Sequence, residues 1–148
     1  MKALSKNYLK TQIETASKPQ LLLLLFDGAI RFAERAKSDL AEKNFEGSYN
    51  GLVRAQRIVV ELLSALDATK IPPELYKNLT GLYAFVYRRL VAANMERRAE
   101  SIDEAVSILR HLRETWVQAI EKMDPETKKS LSRETAPPME ARSLSVRG

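Results

Sequence analysis

Leu21-Leu22-Leu23-Leu24-Leu25-Phe26 is a run of six large apolar residues inside a breaker-free stretch, and it decides the reading of the chain. A helix that buries one face needs only three or four apolar positions per two turns. Each residue rotates the helix by about 100°, so Leu22 and Phe26 point one way while Leu24 points roughly the opposite way. The segment is therefore covered on two sides, or part of it waits for a partner. The run is too short to span a bilayer, and Asp27 ends it.

Outward from this run the spacing predicts a helix over about 18–42. Ser17-Lys18-Pro19-Gln20 reads as a capping box with proline in the first turn, where its missing N–H does no harm. Leu22, Phe26, Ala29, Ala33, Ala36 and Leu40 step by four and three, a heptad-like seam, and Leu21, Leu25, Gly28 and Phe32 lie beside it. A second helix is predicted over about 45–66, capped by Asn44. Its seam is Leu52, Ala55, Val59, Leu62 and Leu66, widened by Phe45, Tyr49 and Leu63.

A third helix follows Pro72-Pro73, over about 74–98. Leu75, Leu79, Leu82, Val86 and Ala93 line one side, and Tyr76, Tyr83, Tyr87, Leu90 and Asn94 the adjacent one. The fourth is predicted to start at Ser101, with Ser101-Ile102-Asp103-Glu104 as a second capping box. Its stripe is Ile102, Ala105, Leu109, Leu112, Trp116, Ala119 and Met123, and Asp124-Pro125 stops it.

Four long helices with short connections imply an all-α, antiparallel up-down-up-down four-helix bundle. The boundaries are residues 1–16 as an N-terminal segment packing on the bundle, 17–123 as the bundle, and 124–148 as a mostly disordered tail. Leu4, Tyr8, Leu9 and Ile13 recur at helical spacing, so the N-terminal segment has an apolar side with which to fold back.

The chain has 148 residues, 45% hydrophobic and 29% charged, with five glycines and six prolines, a profile of a soluble helical domain. It has no cysteine, so disulfides and thiolate metal sites are excluded. The first twenty residues carry no signal-peptide pattern, and a cytoplasmic protein is expected. His111 is the only histidine, Ile108 stands where a Glu-x-x-His motif would need its acid, and no Gly-rich phosphate loop occurs. No enzyme, metal or cofactor is expected.

The formal charge of +5 permits an anionic partner, but 24 basic and 19 acidic residues are interleaved and no basic run reaches five. Arg88-Arg89, Arg97-Arg98 and Lys128-Lys129 are candidate contacts. The pattern as a whole argues against nucleic acid.

What remains is a surplus of apolar side chains. Leu21, Leu24, Leu25 and Phe32 lie off the first seam, and Tyr83, Phe85 and Tyr87 point in more than one direction. Tyrosine suits a surface that is dry when bound and tolerable when wet. An amphipathic helix in a groove would use such a surface. A fatter core under residues 1–16, or a homodimer, would use it equally well.

The chain resembles the FliS family, cytosolic export chaperones of bacterial flagellin. The resemblance rests on Glu14-Thr15-Ala16-Ser17 leading into the leucine run, and on Phe26-Asp27-Gly28-Ala29-Ile30-Arg31-Phe32, where the family usually has tyrosine first. It continues through Ala55-Gln56-Arg57-Ile58-Val59, Tyr87-Arg88-Arg89-Leu90, Ala93-Asn94 and Leu112-Arg113-Glu114-Thr115-Trp116. It covers roughly 8–122. The Lys70-Ile71-Pro72-Pro73 loop departs from the expected Gly-rich connection.

The resemblance implies a protein that binds the disordered C-terminal segment of flagellin. By covering that segment's apolar face it would prevent premature polymerisation and keep the client competent for type III secretion, without ATP or catalysis. It also implies an N-terminal lid, for which Tyr8 and Ile13 are suited. For the groove the expected contacts are Leu21, Leu24, Leu25, Tyr83, Tyr87, Leu90 and Asn94. An export-gate component is a further partner on this reading, no membrane insertion is expected, and the protein is a monomer or weak dimer. A helical adaptor or homodimerisation module and a basic nucleic-acid regulator are the alternatives.

Overall fold

A computed structural model describes residues 18–122. They form four helices, α1 (Lys18–Ala41), α2 (Phe45–Ser64), α3 (Pro73–Glu96) and α4 (Ala99–Glu121), in an all-α antiparallel bundle. Leu25–Glu114 is one compact unit that contains α2, α3 and most of α1 and α4. The described parts of the other unit, 18–24 and 115–122, are the first turns of α1 and the end of α4. The Ser17 cap, Met123, the 1–16 segment and the 124–148 tail lie outside the described residues.

The core follows the predicted seams closely on three helices. Phe26, Ala29, Ala33 and Ala36 of α1 are fully buried, as are Leu52, Ala55 and Leu62 of α2 and Ile102, Ala105 and Leu109 of α4. Three alanines in the α1 seam, with Gly28 and Gly51 at its border with α2, let these two helices approach closely. A Cβ built on Gly51 would stand 3.2 Å from the Ala36 Cβ and from the Phe32 carbonyl oxygen. Phe26 and Tyr83 meet edge to face across the bundle, ring centroids 6.2 Å apart at 60°.

On α3 the core stripe is Leu79, Tyr83, Val86, Leu90 and Ala93, which straddles the two predicted stripes. Leu75 and Leu82, expected inside, are exposed. The physical reason is angular. Apolar residues surround nearly the whole of α3, so periodicity alone does not say which hundred-degree sector faces inward. Phe45 and Tyr49 likewise do not widen the α2 core; both are exposed.

The connections hold two further points. Asn44 caps α2 as predicted, its Oδ1 accepting from the Gly47 N–H at 3.1 Å. The Ser101 capping box does not form. α4 starts two residues earlier at Ala99, and Ser101 is buried inside the first turn, its Oγ accepting from Arg89 Nη2 at 3.1 Å. Arg97 closes α3 in the left-handed conformation (φ 54°), and only Arg97 and Arg98 separate α3 from α4. Its guanidinium lies 3.8 Å from the Phe45 ring centroid, a cation–π contact that offsets the backbone cost.

Ion pairs tie α1 to α4 along their length: Asp27 with Arg113 at 2.6 Å, Glu34 with Arg110, and Lys37 with Asp103 at 2.7 Å. Arg89 pairs with Glu104 at 2.8 Å between α3 and α4. All are partly exposed, so each contributes about 1 kcal/mol or less and serves register more than stability.

Candidate partner-binding surface

All seven exposed large hydrophobic side chains among the described residues lie on α2 and α3: Phe45, Tyr49, Val60, Leu75, Leu82, Tyr87 and Met95. None lies on α1 or α4. The surplus inferred from sequence is real, but its most exposed members belong to α2 and α3 rather than to α1.

Helical spacing sorts these residues into stripes. On α2, Tyr49, Val53, Gln56 and Val60 step by four, three and four, one position round from the buried Leu52–Ala55–Val59 seam. On α3, Ala84, Tyr87, Val91 and Asn94 step by three, four and three. Asn94 Nδ2 donates to the Tyr49 carbonyl oxygen at 3.4 Å, which fixes the antiparallel register of the two stripes. From that bond, helical spacing sets Val91 opposite Val53 one turn on and Tyr87 opposite Gln56 two turns on. The result is an apolar face along α2 and α3 with an aromatic ring near either end, Tyr49 at 57% and Tyr87 at 38% exposure. Leu75 and Leu82 form a second apolar flank on α3.

The predicted contact residues divide accordingly. Tyr8 and Ile13 lie outside the described residues. Tyr87 and Asn94 stand on the α2–α3 face. Tyr83 and Leu90 have no exposure and form part of the core; they share Tyr87's side of α3 within one turn but face further inward. Leu21 is buried, and Leu24 and Leu25 are half-buried. Tyr49, Val60, Leu75, Leu82 and Met95 were missed as surface residues. The second four-three-four stripe on α2 was the available signal for Tyr49 and Val60.

Elsewhere, a groove of about 660 Å³ runs between α1 and α4, bordered by Asp27, Arg31, Glu34, Arg35, Arg110 and Arg113. Arg98 donates to Glu100 at 2.6 Å, and this hydrogen bond raises its already high pKa. His111 is exposed. No group of three His, Cys, Asp or Glu side chains among the described residues is arranged to hold a metal ion. No described helix is long and apolar enough to cross a membrane.

The described residues thus form a helical bundle with an apolar outer face on α2 and α3. The family model described as Flagellar protein FliS matches residues 1–123. A flagellar secretion chaperone FliS from Salmonella typhimurium is 33% identical over 119 residues, covering 80% of this chain and 87% of its own. Similar chaperones from Campylobacter jejuni (30% over 109 residues; 74% and 84% covered) and Bacillus subtilis (29% over 114 residues; 77% and 84%) agree. The chain belongs to the FliS family. It is a flagellar secretion chaperone by family, and not an enzyme.

Proposed function

We propose that this chain is a cytoplasmic export chaperone for flagellin. It binds the disordered C-terminal segment of flagellin, blocks premature polymerisation and keeps the client competent for flagellar type III secretion. The observation that carries this reading is that every exposed large hydrophobic side chain among the described residues lies on α2 and α3. A client that folds as it binds must offset its ordering entropy with a broad apolar contact. The Tyr49–Val60 and Tyr87–Asn94 stripes offer such a contact, with tyrosines that remain tolerable in water before the client arrives. No nucleotide is needed, because binding free energy alone holds the client.

Residues 1–16 would act as a displaceable cover, with Tyr8 and Ile13 contributing the apolar contacts, while 124–148 would remain a tail. On α1, Leu24 and Leu25, both half-buried, are further proposed client contacts.

Titration calorimetry with a flagellin C-terminal peptide tests the reading. Wild-type protein binds, and V60E/Y87E weakens binding at least about tenfold with helicity unchanged. Failure of wild-type protein to bind refutes the client. Undiminished binding by V60E/Y87E refutes the α2–α3 face, and the companion variant L24E then tests α1. Deleting 1–13 leaves affinity equal or higher if the segment is a cover; a tenfold loss makes it part of the site.

A further inference from the structure

We propose that the α1–α2 side of the bundle carries a second docking site, specific for an acidic polypeptide segment. Client binding by an apolar face gives no use for a basic surplus, yet four arginines gather on this side. Phe32 of α1 is half-buried, and the guanidinium carbons of Arg31 and Arg54 each stand 5.5 Å from its ring centroid. Arg35 lies one turn beyond Arg31, and Arg57 one turn beyond Arg54, both exposed.

The other basic residues on the neighbouring α1–α4 side are neutralised. Lys37, Arg110 and Arg113 pair with Asp103, Glu34 and Asp27. None of Arg31, Arg35, Arg54 and Arg57 forms an ion pair among the described residues. Two guanidinium groups against one aromatic ring, each followed one turn along its helix by an exposed arginine, make a local positive field. Each presents a planar fork of donors suited to a carboxylate.

The occupant is argued from charge and spacing. Residues 1–17 carry Lys2, Lys6 and Lys10 against Glu14, and 124–148 carry five basic and four acidic residues, so neither terminus complements the patch. A continuous polyphosphate would also meet Asp27 and Glu34, which border the same side of α1 in the groove shared with Arg31 and Arg35. Separate carboxylates on a flexible peptide can reach the arginines individually, and an apolar side chain between them can rest on Phe32. The site therefore takes a segment in which Asp or Glu alternates with an aliphatic or aromatic residue.

The probe is a dye-labelled twelve-residue peptide alternating glutamate and leucine, followed by fluorescence anisotropy at low and moderate salt. The full chain binds it. R31Q/R35Q/R54Q/R57Q weakens binding at least about tenfold, whereas K70Q/K77Q/R88Q, which removes exposed charge elsewhere, leaves it within about twofold. A glutamine–leucine peptide binds at least about tenfold more weakly than the glutamate form. Equal losses in the two arginine and lysine variants, or equal binding of the glutamine peptide, overturn the site. So does a single-stranded oligothymidylate or a phosphatidylserine vesicle that binds more tightly than the acidic peptide. Flagellin-peptide affinity of the four-arginine variant stays unchanged, which separates this site from the α2–α3 face.

Discussion

Replacing Tyr83 by alanine separates the core of α3 from its surface more sharply than any other single change. Tyr83 is fully buried and meets the Phe26 ring edge to face. Truncating a buried aromatic to alanine costs about 3–5 kcal/mol in transfer and cavity terms, and the lost ring pair is contained in that range or adds about 1 kcal/mol. Against a total stability of about 5–15 kcal/mol the variant keeps only part of its margin. With a urea slope of about 2 kcal/mol per molar, a 4 kcal/mol loss moves the midpoint down by about 2 M. The reference is Tyr87→Ala, four residues on and 38% exposed, for which the loss is about 1 kcal/mol or less. Circular dichroism at 222 nm during urea titration reads both. If Tyr83→Ala costs no more than Tyr87→Ala, the inward sector of α3 has been misassigned, and with it the division between core and client surface.

Other expectations follow from local geometry. Gly51→Ala lowers the melting temperature despite alanine's better helix propensity, because its Cβ meets Ala36 and the Phe32 carbonyl at 3.2 Å and both belong to a helix that must shift. Gly81→Ala raises stability by about 0.5–1 kcal/mol, since nothing lies within 4 Å of the added carbon; a melting curve that orders these two the other way would refute the close α1–α2 approach. Asn44→Ala costs about 1 kcal/mol through loss of the α2 cap, measurable by the same urea titration. Asp27→Asn changes stability by less than about 1 kcal/mol, because its partner Arg113 is also partly in water; a larger loss would make that pair a structural anchor.

The Ser101 result shows how a strong local signal yields to a tertiary one. Ser-Ile-Asp-Glu is an ordinary N-terminal box, but the helix extends back to Ala99, which moves Ser101 from the cap into the first turn, where its buried hydroxyl accepts from Arg89. The two-residue connection through Arg97 makes this possible by turning the chain in one left-handed step.

The number of helices, their near boundaries and three of the four inward seams were legible in the order of residues, because each of those helices carries a sustained seam stepping by three and four. Family membership was legible too, carried by motifs such as Asp27-Gly28-Ala29 and Ala93-Asn94. The rotation of α3 was not, since a helix apolar on several sides obtains its orientation only from what packs against it, here Phe26 against Tyr83. Nor was the side on which the greasy remainder would surface. That depended on the small residues of α1, which draw α2 close, and on the register through which Asn94 reaches Tyr49.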